Sequence, residues 1–179
     1  MATAGRDIHK SCESGKVKAV ERQLREGAEV DRRNFYGRTP LHHAAVTGQQ
    51  TIAKILLDHG ADTEVKDCDG NTPIHIAASV GQADIVKLLL DVGAAVDEKN
   101  DDGDTALHLS AWQDRRDTVR TLLARGADTQ LTNLAGQTPA DRAEEEGLAD
   151  MVSLLRSAEM DIEIKEQSEE IKEQPETNN

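Results

Sequence analysis

Apolar residues come in pairs of short blocks separated by polar stretches, and the pairs recur along most of the chain. A first block holds Ala44 and Ala45, or Ala77 and Ala78, and is closed by Gly48 or Gly81. The second block carries Ile52, Leu56 and Leu57, or Ile85, Val86, Leu88 and Leu89, a spacing that puts the apolar side chains on one face of a helix. It stops at Gly60, Gly93 and Gly126, where a left-handed residue ends a helix without steric cost. Each unit therefore predicts two short helices, with a polar hairpin, Ala61 to Asn71 and its equivalents, leading to the next unit.

The period is fixed by four threonines 33 residues apart, Thr39, Thr72, Thr105 and Thr138. The lines around them read Gly-Arg-Thr-Pro-Leu-His-His-Ala-Ala from Gly37, Gly-Asn-Thr-Pro-Ile-His-Ile-Ala-Ala from Gly70, Gly-Asp-Thr-Ala-Leu-His-Leu-Ser-Ala from Gly103 and Gly-Gln-Thr-Pro-Ala-Asp-Arg-Ala from Gly136. Threonine suits a helix N-cap, and Pro40, Pro73 and Pro139 suit the first helical position, whose N–H has no partner to lose. This pattern resembles the ankyrin repeat family over about residues 4 to 157. The resemblance implies an all-α solenoid of about five stacked helix-turn-helix units with protruding β-hairpin fingers. It also implies that His42, His75 and His108, with Thr39, Thr72, Thr105 and Thr138, are structural residues tying repeats together.

In that phase, residues 1–36 form a degenerate N-terminal capping repeat, in which Arg6-Asp7 replaces Thr-Pro and charged residues dilute the apolar face. Full repeats follow at 37–69 and 70–102, then a divergent one at 103–135 and a C-terminal cap at 136–157. The divergent repeat has Ala106 for Pro, Ser110 for Ala, Asp114 for the interhelix Gly and Thr118 for Ile or Val, which predicts local weakness. Polar caps are what a stack needs where a neighbour is missing.

Charge changes the picture at the end. The net formal charge is −13, and acidic residues crowd 158–179, which reads as a disordered acidic tail. Glu163-Ile164-Lys165-Glu166-Gln167 recurs as Glu170-Ile171-Lys172-Glu173-Gln174, so Met160, Ile164 and Ile171 would share a stripe if a partner made this segment helical. Such acidity argues against nucleic acid as a ligand. No apolar run suits a membrane span, the start is unlike a signal peptide, and Cys12 and Cys68 read as reduced thiols. The expected compartment is cytosol or nucleus, and the expected state a monomer.

Little in the chain looks catalytic. The equivalent histidines His9, His42, His75 and His108 form a ladder a repeat apart rather than a tetrahedral metal cluster, and His43 and His59 read as surface residues. No phosphate loop, nucleophile elbow or two-histidine zinc helix is present, so no enzyme activity, cofactor or metal is expected. Hydroxylation of a finger Asn, a modification the family implies, has no usual target, because those positions hold Asp31, Glu64, Asp97 and Gln130.

The three aromatics mark the expected contact surface. Phe35 and Tyr36 lie in a finger and Trp112 at the end of a first helix, positions that line the concave face in the family. They read as anchors for a partner, the alternative being that they lie flat on neighbouring helices. Arg38, Cys68, Asp69, Asn71, Asp101, Asp102, Asp104 and Gln113 complete the candidate surface, with Arg32, Arg33 and Arg38 at its cationic end. A partner segment with an acidic or aromatic part and a basic part would fit, although finger carboxylates also serve solubility. The expected function is non-catalytic protein binding, as adaptor, inhibitor or regulatory subunit. The alternative is a transcription cofactor working through the acidic tail.

Overall fold

Turn-breaking glycines and N-capping threonines divide the chain as the periodicity predicts. The structure, a computed structural model, describes residues 7–160. Its helices are α1 (Ile8–Glu13), α2 (Val17–Arg25), α3 (Pro40–Thr47), α4 (Gln50–Asp58), α5 (Pro73–Val80), α6 (Ala83–Asp91), α7 (Ala106–Trp112), α8 (Arg116–Leu123) and α9 (Pro139–Glu145). A tenth, α10, runs from 149 to the last described residue, 160, past the 157/158 boundary expected above. Met160 is exposed on it. Ile164, Ile171 and the rest of the acidic segment lie outside the described residues.

First helices pack on first helices (α1, α3, α5, α7, α9) and second on second (α2, α4, α6, α8), so each repeat touches only its neighbours. The continuous core between the two layers is made of small first-helix residues, such as Ala44, Ala45, Ala77, Ala78 and Ala111, against Ile52, Leu56, Ile85, Leu89, Val119, Leu122, Met151 and Leu155. Leu57 and Leu88, expected on the buried side, are only partly buried at its edge. Among the described residues no helix is long and apolar enough to cross a membrane.

The N-terminal cap shows how a degenerate repeat still starts a helix. Asp7 does the capping, accepting from the His9 N–H at 3.1 Å, one position later than the threonine register. Among the described residues α1 packs only on α2 and α3, so no helix on its outer side fixes the register. Cys12 lies fully buried in this cap, and burial pushes its thiol pKa up to about 12. Cys68 is exposed. Alkylation of the native protein with iodoacetamide is therefore expected to modify Cys68 and spare Cys12 until the chain unfolds, because the reactive species is the thiolate. Equal labelling rates would contradict this burial.

The divergent repeat carries two identifiable defects. Asp114 is the only non-glycine residue at positive φ among the described residues, at 52°, where Gly15, Gly48, Gly81 and Gly147 stand in the other repeats. The Thr118 hydroxyl is buried in the core without a hydrogen-bond partner, at the position held by Ile52, Ile85 and Met151 elsewhere. Asp114→Gly with Thr118→Val is expected to stabilise the protein by about 1–2 kcal/mol in urea titrations. Amide exchange in α7 and α8 should slow more than in α3 and α4; an unchanged exchange pattern would mean that this repeat is not the weak one.

Candidate functional site

A recurring Asx residue builds each finger. Asn34, Asp67, Asn100 and Asn133 are in the same phase, and each side-chain Oδ1 accepts two backbone N–H groups, two and four residues on. The pairs are Tyr36 and Arg38, Asp69 and Asn71, Asp102 and Asp104, and Ala135 and Gln137, at 2.9–3.1 Å. A short polar side chain that mimics a backbone acceptor is what an Asx turn requires. The hairpin closes with Asn34 N–H donating to the Arg38 carbonyl, and likewise Asp67 to Asn71, Asn100 to Asp104 and Asn133 to Gln137. The expected β-hairpins are thus tight turns, and no strand occurs among the described residues.

Adjacent fingers are tied tip to tip. Cys68 N–H donates to the Tyr36 carbonyl at 3.0 Å, Asp101 to Asp69 at 3.3 Å and Leu134 to Asp102 at 2.9 Å. A second set of bonds runs between the finger stems: Arg33 donates to the Lys66 carbonyl, Lys66 to that of Lys99 and Lys99 to that of Thr132. Bonds repeated at each junction hold the fingers in one row, so residues far apart in sequence present a common edge.

The row places the candidate residues in two groups. Phe35 (93% exposed) and Tyr36 (64%) stand out from the first tip, edge to face with ring centroids 5.5 Å apart. Cys68, Asp69, Asp101 and Asp102 follow on exposed tips. The sequence reading overlooked Leu134, 80% exposed on the fourth tip. It lies in register with Phe35, Cys68 and Asp101, and that shared phase is the signal that could have found it.

Arg38, Asn71 and Asp104 share a different position, just before each threonine, and they join repeats together. Arg38 pairs with the buried Asp67 carboxylate at 3.0 Å, and Asn71 accepts from Asn100 Nδ2 at 3.0 Å. Asp104 corrects the expected contact surface. It is 2% exposed, accepts from Asn133 Nδ2 at 2.8 Å and faces Arg142 at 3.6 Å, so its charge is spent within the stack. With Arg38 paired and Arg33 bonded to carbonyls, the cationic end keeps Arg32 as its exposed charge without a partner among the described residues.

Trp112 is not brought to the fingers. The finger leads into the N-terminus of α7, whereas Trp112 and exposed Gln113 sit at its other end, about 10 Å along the helix. The indole donates to Glu146 at 2.8 Å and the Arg142 guanidinium stacks on its ring at 4.8 Å. The ring stays 39% exposed but braces α7 against the last repeat, which matches the alternative reading of the aromatics more closely than a free anchor.

Three of the four ladder histidines, His42, His75 and His108, have both ring nitrogens engaged, whereas those of His9 are buried without a hydrogen-bond partner among the described residues. Thr39 N–H donates to His42 Nδ1 at 3.1 Å, so Nδ1 is unprotonated, and Nε2–H must then donate to the Asn71 carbonyl at 3.0 Å. His75 bonds the Glu98 and Asp104 carbonyls, and His108 that of Gln137, in the same tautomer. Burial drives His42 down to about 4 and also lowers His75 and His108. With both nitrogens committed, these rings have no lone pair for a metal, and no group of three His, Cys, Asp or Glu among the described residues could hold one. In the last repeat Asp141 takes the histidine's place, accepting from Thr138 N–H at 2.8 Å. Among the described residues Asp141 keeps the cap but bonds no carbonyl of a following finger. His43, expected at the surface, is half-buried, bonded to Asn34 and packed on His9.

Comparison with known proteins gives a consistent picture. The family model described as ankyrin repeats, in three copies, matches residues 8–67 and 60–133. Two curated proteins of Arabidopsis thaliana, the ADP-ribosylation factor GTPase-activating proteins AGD2 and AGD4, are each 40% identical to this chain over 48 residues. The match covers 27% of this chain and 6% of each relative's length, about one and a half repeats.

Proposed function

The chain belongs to the ankyrin repeat family, and from that premise we propose that it is a non-catalytic protein-binding module. It acts as an adaptor, inhibitor or regulatory subunit, holding a partner protein at its finger tips and along the concave first helices. Ankyrin repeats generally bind proteins, and one observation supports this use of the fingers here. The chain has one Phe and one Tyr, its core uses neither, and both stand exposed and adjacent on the first tip. Aromatic anchors on a rigid, hydrogen-bonded row are a common source of binding energy at interfaces.

Substituting Phe35→Ala with Tyr36→Ala should leave helical content and melting unchanged, since neither ring packs in the core. It should weaken a partner captured by the wild-type chain by about 2 kcal/mol or more, roughly 30-fold in Kd. A partner held equally by both proteins would remove the finger tips from the interface.

A further inference from the structure

The finger row carries more information than its aromatic end. Its charges sort into those used by the fold and those left over. Asp67 is paired with Arg38, and Asp104 faces Arg142 and accepts a hydrogen bond from Asn133. Asp69, Asp101 and Asp102 are exposed, and no cation pairs with them among the described residues. The Asp69 carbonyl accepts from Asp101 N–H, so these residues stand on neighbouring tips that are bonded directly to one another. A cation lying along the row would be attracted by these exposed, unpaired carboxylates. On either side of this anionic stretch the tips are apolar, Phe35 and Tyr36 at one end and Leu134 at the other.

The spacing sets the size of what could lie along the row. Packed helices lie about 8–10 Å apart, and the tips follow their repeats at about that interval. An extended chain advances about 3.3 Å per residue, so it passes about three residues per finger. Phe35 and Leu134 are three fingers apart and would be spanned by about eight or nine residues.

Building on the binding-module reading, we propose that the finger row takes an extended peptide segment of about nine residues, apolar at both ends, with lysine or arginine between them. The apolar ends meet Phe35 and Tyr36 on one side and Leu134 on the other, and the basic residues lie over Asp69, Asp101 and Asp102. Leu134 becomes a contact residue on this account, and Trp112 does not.

The test is selection from a displayed library of random peptides of about twelve residues, slightly longer than the span, on the full chain. Binders are expected to carry apolar residues about eight apart with Lys or Arg between. Their affinity should fall at least about tenfold for a variant with Asp69→Asn, Asp101→Asn and Asp102→Asn, and as far for Leu134→Ala. These four side chains are exposed, so the variants should keep the wild-type melting temperature. Binders without that pattern, binders indifferent to both variants, or no binders at all would overturn the proposal. A captured partner separates this failure from the broader one. If it is lost with Phe35→Ala and Tyr36→Ala but kept by the triple variant, only the basic-segment proposal falls. If both variants keep it, the finger reading falls too.

Discussion

Lowering the pH from about 7 to about 4.5 is expected to remove about 2.5 kcal/mol of stability through His42 alone. The sign follows from where the proton binds first. His42 is depressed to about 4 in the fold, chiefly by burial, against an ordinary value of 6.5. Below about pH 6.5 the unfolded chain therefore takes up a proton that the folded chain refuses, and stability falls until the folded ring titrates near pH 4. Protonation would also set an Nδ1–H against the Thr39 N–H that it now accepts, undoing the cap. His75 and His108 are lowered for the same reason and add to the loss. The window lies mostly above the ordinary carboxylate range, so the histidines dominate it. Against a total of about 5–15 kcal/mol, typical of a domain, the acid loss should be plain in urea titrations. The control is His42→Gln, since glutamine at the same position can accept from the cap N–H but does not titrate. That variant should be less stable near neutrality and lose about 2.5 kcal/mol less on acidification. Equal acid losses in the two proteins would show that His42 does not carry the effect.

The same histidines show why so much of the fold could be read in advance. A repeat architecture imposes one chemical task at one phase, so Thr39 and His42, Thr72 and His75, and Thr105 and His108 declare their roles by recurrence. The Asx positions recur just as regularly, each three residues before a glycine, as in Asn34 and Gly37 or Asn133 and Gly136. They went unread because Asp67 stands among three asparagines, and only the shared Oδ1 acceptor unites them. The exposure of Phe35 and Tyr36 was legible, because a core of Leu, Ile, Val and Ala leaves them nowhere to pack. Asp104 was not. An aspartate in a finger looks the same whether it faces solvent or an arginine, and its partner Arg142 belongs to the next repeat's cap. Trp112 was misjudged for a related reason: the residues that hold it, Arg142 and Glu146, read in sequence only as the polar surface of a terminal repeat. Periodicity reports what is common to the repeats, whereas these contacts belong to one junction.

That junction carries the second large effect. Arg142→Met is expected to destabilise the protein by about 2–3 kcal/mol, because it strips the cation from a carboxylate that cannot reach water. The Asp104 side chain is 3% exposed and the Arg142 side chain 20%, so solvent screens the pair poorly. Asn133 Nδ2 still donates to Asp104 in the variant, and Arg142 Nε is buried with no acceptor in the wild type. Both facts keep the cost toward the lower part of what breaking a buried pair entails. Loss of the guanidinium over the Trp112 ring adds about 0.5–1 kcal/mol. Trp112 is the only tryptophan, so its fluorescence reports directly on whether the last repeat has come away. Local undocking would shift its emission before helical content falls, whereas a simple loss of global stability would move the two signals together. Adding Asp104→Asn to Arg142→Met removes the stranded charge and should recover at least half of the lost stability, since a neutral amide can still accept from Asn133. If the double variant is no more stable than Arg142→Met, the stranded carboxylate is not the cause, and the packing of Arg142 against Trp112 is what holds the last repeat.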